Sequence, residues 1–104
     1  MSYHDITVVI TSFRSETKII DCLDSINPEV KVLIIENSNN KDFKKNVEKK
    51  YSNTECFLSQ VNLGYAKGNN FGLNKVKSKY ALIINPDAIL EKNAIYNFLL
   101  SAKK

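Results

Sequence analysis

Residues 5–12 read DITVVITS, a β-branched run closed at both ends by polar side chains. Val, Ile and Thr fit a pleated backbone, and a near-continuous apolar run of this length reads as a strand buried on both faces. Just beyond it, Ile19, Cys22, Leu23 and Ile26 recur at the i, i+3, i+4, i+7 spacing of one helical face. The spacing predicts a helix over 15–26 with Ser15 as its N-cap. Asn27-Pro28 ends it, because the residue before a proline avoids the helical region.

The same alternation continues outward along the chain. Lys31–Glu36 (KVLIIE), Thr54–Leu58 (TECFL) and Tyr80–Asn85 (YALIIN) read as three further strands. Between the first two of these, Phe43, Val47 and Tyr51 share a face of a helix predicted over 42–51, and the polar run Asn37–Asn40 (NSNN) before it can cap it. A helix is predicted over 65–76 although Gly68 and Gly72 each weaken it by ~1 kcal/mol against alanine. A last helix over 91–102 puts Ile95, Phe98, Leu99 and Ala102 on its buried side. Strands alternating with helices imply an α/β fold: a Rossmann-like parallel sheet of about four strands, helices on both faces, right-handed crossovers. The expected strand order is 3-2-1-4. No repeat, linker or low-complexity stretch interrupts the chain, so residues 1–104 read as a single domain.

Composition narrows the function. A chain of 104 residues can bury a core without disulfides or a structural metal. Hydrophobic content of 43% and charged content of 25% are ordinary globular values and exclude a disordered chain. The net charge is +4, but the lysines of 41–50 and 67–79 alternate with Asn, Asp and Glu as on solvated helix faces. Without a basic patch studded with aromatic platforms, a nucleic-acid partner is not expected. Cys22 and Cys56 stand far apart without a CxxC, so they read as small core residues, not zinc ligands, and fit a reducing cytoplasm. No apolar run is long enough to span a membrane, and the start of the chain lacks a signal-peptide pattern. His4 is the sole histidine, which argues against Ser-His-Asp or Cys-His catalysis. The loop Ser12-Phe13-Arg14-Ser15 has no glycine, unlike the dinucleotide fingerprint of a dehydrogenase. Ser59-Gln60 stands where a phosphoacceptor domain would need an aspartate.

Open parallel sheets bind ligands beyond the carboxyl ends of their strands, where the strand order reverses. With order 3-2-1-4, Thr11-Ser12-Phe13 and Asn85-Pro86-Asp87 meet there, with Glu36-Asn37-Ser38 beside them. Asp87 follows a buried strand and a proline. Such a carboxylate can hold Mg²⁺ or Mn²⁺ on a diphosphate, or simply shape a turn, and spacing alone leaves both open. Asn62–Asn70 (NLGYAKGNN) is the densest polar cluster. Gly64 and Gly68 would let backbone N–H groups approach an anion at a helix start, or form an ordinary turn. Lys67 is placed to touch a phosphate or to remain solvated.

Together these segments resemble the family 2 glycosyltransferases with the GT-A fold, in particular their rhamnosyltransferase-like branch. Ile6–Phe13 (ITVVITSF) looks like the family's first strand and loop. Ile34-Ile35-Glu36-Asn37-Ser38 resembles its Val-Asp-Asn-x-Ser segment. Residues 62–72 (NLGYAKGNNFG) are very close to its Asn-x-Gly-Phe-Ala-x-Gly-Asn-Asn-x-Gly stretch, and Leu82–Ala88 (LIINPDA) looks like the branch's Leu-Asn-Pro-Asp-x form of the DxD motif. The likeness covers nearly the whole chain.

The resemblance implies the N-terminal half of a GT-A fold and the donor-binding part of an inverting, metal-dependent glycosyltransferase. Thr11, Ser12, Phe13, Glu36 and Asn37 are expected around the nucleoside; Asn62, Gly64, Lys67 and Asn69 on the nucleotide side of the pocket. Asp87 is expected to hold Mg²⁺ or Mn²⁺ on the diphosphate, with Asn85 in the place of the first DxD aspartate. The donor is expected to be a dTDP-linked sugar, rhamnose by the branch, or a UDP-linked one. Glu36 replaces the usual Asp, and Asn85 brings no charge. The family's catalytic base lies well beyond the DxD, so no catalytic residue is assigned, the acceptor half is expected to be absent and the chain alone inactive. An exposed sheet edge predicts a homo-oligomer. A nucleotide-binding module without turnover shares every donor-side residue; a flavodoxin-like interaction domain would leave the Asn-x-Gly and Asn-Pro-Asp segments unexplained.

Overall fold

A computed structural model describes residues 2–102. Its centre is β1 (Ile6–Ser12), buried along its full length as the unbroken apolar run requires. β1 pairs in parallel with β2 (Lys31–Glu36) on one side and β4 (Tyr80–Ile84) on the other, and β2 pairs in parallel with β3 (Thr54–Leu58). The order is β3-β2-β1-β4, as expected. Val8 stands opposite Val32 and Leu82, and Ile10 opposite Ile34 and Ile84, so each layer of the sheet is matched across strands.

The direction of each crossover decides which face its helix covers. The steps β1 to β2 to β3 run the same way, so right-handed connections put α1 (Lys18–Asp24) and α2 (Lys41–Lys50) on one face. There Ile19, Cys22 and Leu23 of α1 and Phe43 and Val47 of α2 join Ile6, Val8, Ile10, Val32, Ile34 and Cys56 in one core. Ile95 and Leu99 of α4 (Ala94–Ala102) complete it. Each fully buried aliphatic side chain here contributes about 1.5–3 kcal/mol of transfer free energy.

The step from β3 to β4 reverses direction and carries α3 (Gly64–Leu73) to the opposite face. Its approach depends on glycine. A Cβ on Gly68 would stand 2.5 Å from Thr11 Cγ2, and one on Gly72 2.5 Å from Val9 Cγ1. Their cost to helix propensity is offset by close contact with the sheet, and Gly68 faces Thr11 and Asn37 instead of opening toward solvent for an anion.

Helix ends differ from the expected ones for local reasons. α1 starts at Lys18, not Ser15, because the Ser15 hydroxyl bonds back to the Phe13 carbonyl (3.2 Å) and no side chain caps the helix at Thr17. α2 starts at Lys41, where Asn40 Oδ1 accepts from the Phe43 N–H at 3.0 Å. α4 starts at Ala94 after a turn that occupies residues 92–93. A short 3₁₀ turn, Tyr3–Asp5, was not expected and leads into β1. Among the described residues no helix is long and apolar enough to cross a membrane.

Candidate functional site

The carboxyl ends of β1, β2 and β4 meet the start of α3. The Asn37 N–H donates to the Ser12 carbonyl (2.7 Å), joining the loops that follow β1 and β2. Glu36, at the end of β2, is fully buried. Such a carboxylate must find donors. Oε1 accepts from the Ser38 hydroxyl (2.6 Å) and N–H (3.3 Å), and Oε2 from the Asn40 N–H (2.7 Å). Both oxygens are therefore engaged in folding the loop that Asn40 then uses to cap α2. The longer side chain of Glu, compared with Asp, suits this reach around the loop.

Asn37 behaves differently. It is 4% exposed, and its Nδ2 donates to the Gly64 carbonyl at 3.1 Å. Its Oδ1 is buried with no hydrogen-bond partner among the described residues. Thr11, Phe13, Asn37, Asn62, Gly64 and Tyr65 line a hollow of about 240 Å³. Phe13 is 46% exposed, and its ring lies 5.2 Å from the Arg14 guanidinium carbon. Asn62 Oδ1 accepts from the Gly64 N–H (2.9 Å), and Gly64 has φ +75°, a conformation costly for a residue with a Cβ.

Thr11 and Asn69 serve as a tie: the Thr11 hydroxyl donates to Asn69 Oδ1 at 2.6 Å, clamping α3 to β1. Ser12 is buried and contributes its carbonyl. Lys67 is exposed in the first turn of α3 and does not line the hollow. Tyr65, half-exposed on the rim, donates its hydroxyl to Asn85 Oδ1, connecting the hollow to the turn after β4.

That turn is closed by the Ala88 N–H on the Asn85 carbonyl (3.0 Å) and presents Asp87 to solvent. The Asp87 carboxylate accepts no hydrogen bond among the described residues. Behind the turn, the Cys22 thiol lies 3.8 Å from the Asn85 carbonyl oxygen. Burial, reinforced by the Asp87 charge, pushes that thiol up to about 11, so it stays protonated near neutrality. No group of three or more His, Cys, Asp and Glu side chains gathers among the described residues. Asp87 alone does suit a hard cation that takes its remaining oxygens from a diphosphate and water.

Of the residues expected from sequence, Thr11, Phe13, Asn37, Asn62 and Gly64 are brought around one hollow, and Asn85 joins them through Tyr65. Ser12, Glu36 and Asn69 lie beneath, as supports. Lys67 and Asp87 stand exposed outside it. Sequence reasoning gave no role to Tyr65, nor to Ser38 and Asn40 as donors to Glu36. An aromatic with a polar tip directly after an Asn-x-Gly turn is the signal that could have marked Tyr65.

The sequence matches the family model described as glycosyl transferase family 2 over residues 7–104. The chain belongs to glycosyl transferase family 2. In structure this family 2 chain is similar to S. aureus TarS 1-349, with a TM-score of 0.81 at 19% identity, covering 99% of this chain and 32% of that one. It is similar also to S. aureus TarS 1-349 in complex with UDP, with a TM-score of 0.80 at 18% identity and the same coverage, 99% and 32%. The family 2 chain thus has the fold of the N-terminal portion of a GT-A glycosyltransferase and spans 32% of the solved chain. Among curated proteins none matches it significantly.

Proposed function

We propose that residues 1–104 form one nucleotide-sugar-binding domain, the donor side of an inverting glycosyltransferase. The observation that carries this reading is Asn37, which lines the hollow at the carboxyl ends of β1 and β2 and whose buried Oδ1 has no partner among the described residues. Leaving such a group unpaired costs about 1–3 kcal/mol, which a ligand N–H recovers. Uracil and thymine each present a single imide N–H. Because Asn37 Nδ2 is held by Gly64, Oδ1 is the atom left to receive it. Phe13 and Tyr65 offer ring faces beside the base, and Asn62 and Gly64 form the remaining wall.

Beyond Tyr65 the diphosphate reaches Asn85 and Asp87, with the Lys67 ammonium and the first N–H groups of α3 favouring its charge. Asp87 is the residue that would hold Mg²⁺ or Mn²⁺. When bound, that ion supplies charge stabilisation to the departing diphosphate. Solution of TarS with UDP supports a uridine donor. A dTDP-linked sugar, rhamnose by the branch resemblance, meets the same acceptor on Asn37. Two buried free thiols, Cys22 and Cys56, are compatible with the reducing cytoplasm as the compartment of this reading.

Calorimetric titration of UDP and dTDP, with Mn²⁺ or with chelator, tests the reading on wild type, Asn37→Ala and Asp87→Ala. Metal-dependent binding is expected, lowered about tenfold by Asn37→Ala and stripped of its metal dependence by Asp87→Ala. Absence of binding to either nucleotide under every condition, or full affinity in Asn37→Ala, would sink it.

A further inference from the structure

Asp87 sits between two anchored points, and the anchors come from α1 and from Ser25, which caps its C-terminal end. At the near end, the Cys22 thiol donates to the Asn85 carbonyl (3.8 Å), which also receives the Ala88 N–H (3.0 Å). At the far end, the Leu90 N–H donates to Ser25 Oγ at 3.0 Å. Ser25 in turn donates its hydroxyl proton to the Cys22 carbonyl at 2.6 Å, so its oxygen is held in place to accept. The helix that carries these groups is immobilised on the sheet by Ile19, Cys22 and Leu23, and Leu90 packs against the same core.

Asp87 itself is exposed, and its side chain has no hydrogen bond among the described residues. Where its carboxylate stands is therefore decided by the ends of the 85–90 loop and by Pro86, whose ring restricts φ. We infer that Ser25 is a positioning residue for Asp87: its hydroxyl anchors the far end of the loop that carries this carboxylate, the group that would hold a diphosphate-bound cation. The helix does not require the hydroxyl for its own cap, because the Ser25 backbone N–H already closes α1 onto the Asp21 and Cys22 carbonyls. Accepting the Leu90 N–H is an additional contact, made to a segment 65 residues away. Alanine can neither accept nor donate here; threonine can do both. The inference about the diphosphate rests on the donor reading above, while the anchor itself does not.

The experiment has two arms on the same variants, Ser25→Ala and Ser25→Thr. Without ligand, amide hydrogen exchange of Leu90 is expected to speed up roughly three- to tenfold in Ser25→Ala, as loss of one hydrogen bond implies. It should return to the wild-type rate in Ser25→Thr. With ligand, UDP plus Mn²⁺ is followed by calorimetry and uridine by NMR shift titration. Ser25→Ala should weaken UDP–Mn²⁺ by a similar factor, leave uridine within about twofold, and be rescued by threonine. Unchanged Leu90 exchange overturns the anchor. Equal weakening of uridine and UDP–Mn²⁺ overturns the positioning role, as does a loss that threonine does not restore. A wild-type chain that binds neither uridine nor UDP refutes the donor reading, and the exchange arm still judges the anchor.

Discussion

The two ends of the sheet make opposite use of their polar groups. At the amino ends of the strands lies the larger hollow, about 610 Å³, bordered by Lys31, Glu55, Phe57, Lys75 and Ser78. Several of its polar and charged groups answer one another or an aromatic ring. Thr7 Oγ1 meets Ser78 Oγ at 2.7 Å, Lys31 pairs with Glu55 at 3.4 Å, and the Lys75 ammonium sits 4.5 Å from the Phe57 ring centre and 4.9 Å from that of Phe71. At the carboxyl ends the hollow is less than half that size, yet it is lined by Asn37, whose buried Oδ1 has no partner among the described residues. Volume alone is a poor guide to chemistry. An unmet hydrogen bond in a concave wall is a better one, because a ligand that meets it removes a desolvation penalty.

The strongest perturbation of this contrast is Gly68→Ala. Its Cβ would meet Thr11 beneath the small hollow, push α3 from β1 and strain the Thr11–Asn69 bond. A loss of about 1–3 kcal/mol in denaturant unfolding is expected, together with loss of nucleotide binding. Wild-type stability would mean that α3 shifts at no cost. Next comes Asn37→Ala, with the tenfold loss of UDP affinity given above and a stability change below about 1.5 kcal/mol, the Asn37–Gly64 bond being a single one.

The thiols give a smaller, pH-dependent effect. Burial pushes Cys56 up to about 12, where Lys44 opposes the rise and Glu36 and Glu48 add to it; Cys22 rises to about 11. Raised folded values mean that the native chain holds these protons more tightly than the unfolded one. Their contribution is therefore complete below the ordinary value of 9.0 and is lost as pH climbs through 11 to 12. Thermal melts should be flat in this respect up to pH 9 and fall above it. A melt unaffected by such alkaline conditions would contradict the burial of both thiols.

The sheet's two edges allow a weaker test. β3 presents Glu55, paired with Lys31, whereas β4, the other edge strand, leaves Ile83 39% exposed. Sedimentation is expected to show concentration-dependent self-association that Ile83→Lys removes; an unshifted monomer over the whole range would exclude it. Smallest of all, Lys31→Met at the larger hollow should change stability by less than about 1 kcal/mol, as for an exposed ion pair, and leave UDP affinity alone. A matching loss of affinity there would break the comparison between the two ends.

Apolar periodicity determined the strands, the helices and their alternation. DITVVITS and KVLIIE read as buried parallel strands, and direction reversal in the order 3-2-1-4 marks the end of the sheet where such folds bind ligands. The Asn-x-Gly and Asn-Pro-Asp segments marked where to look. Sequence could not tell which polar side chains at that end find a partner within the fold and which keep an atom without one. Glu36 and Asn37 are neighbours of similar character, yet one is met by Ser38 and Asn40 and the other keeps an oxygen without a partner among the described residues. Nor could it tell that Gly68 and Gly72 serve close helix packing, or that Ser25, 65 residues before Leu90, anchors the loop of Asp87. Periodicity is local and survives in the order of residues. Hydrogen-bond pairing joins groups distant along the chain, and only the folded backbone decides which of them come within 3 Å or so of each other.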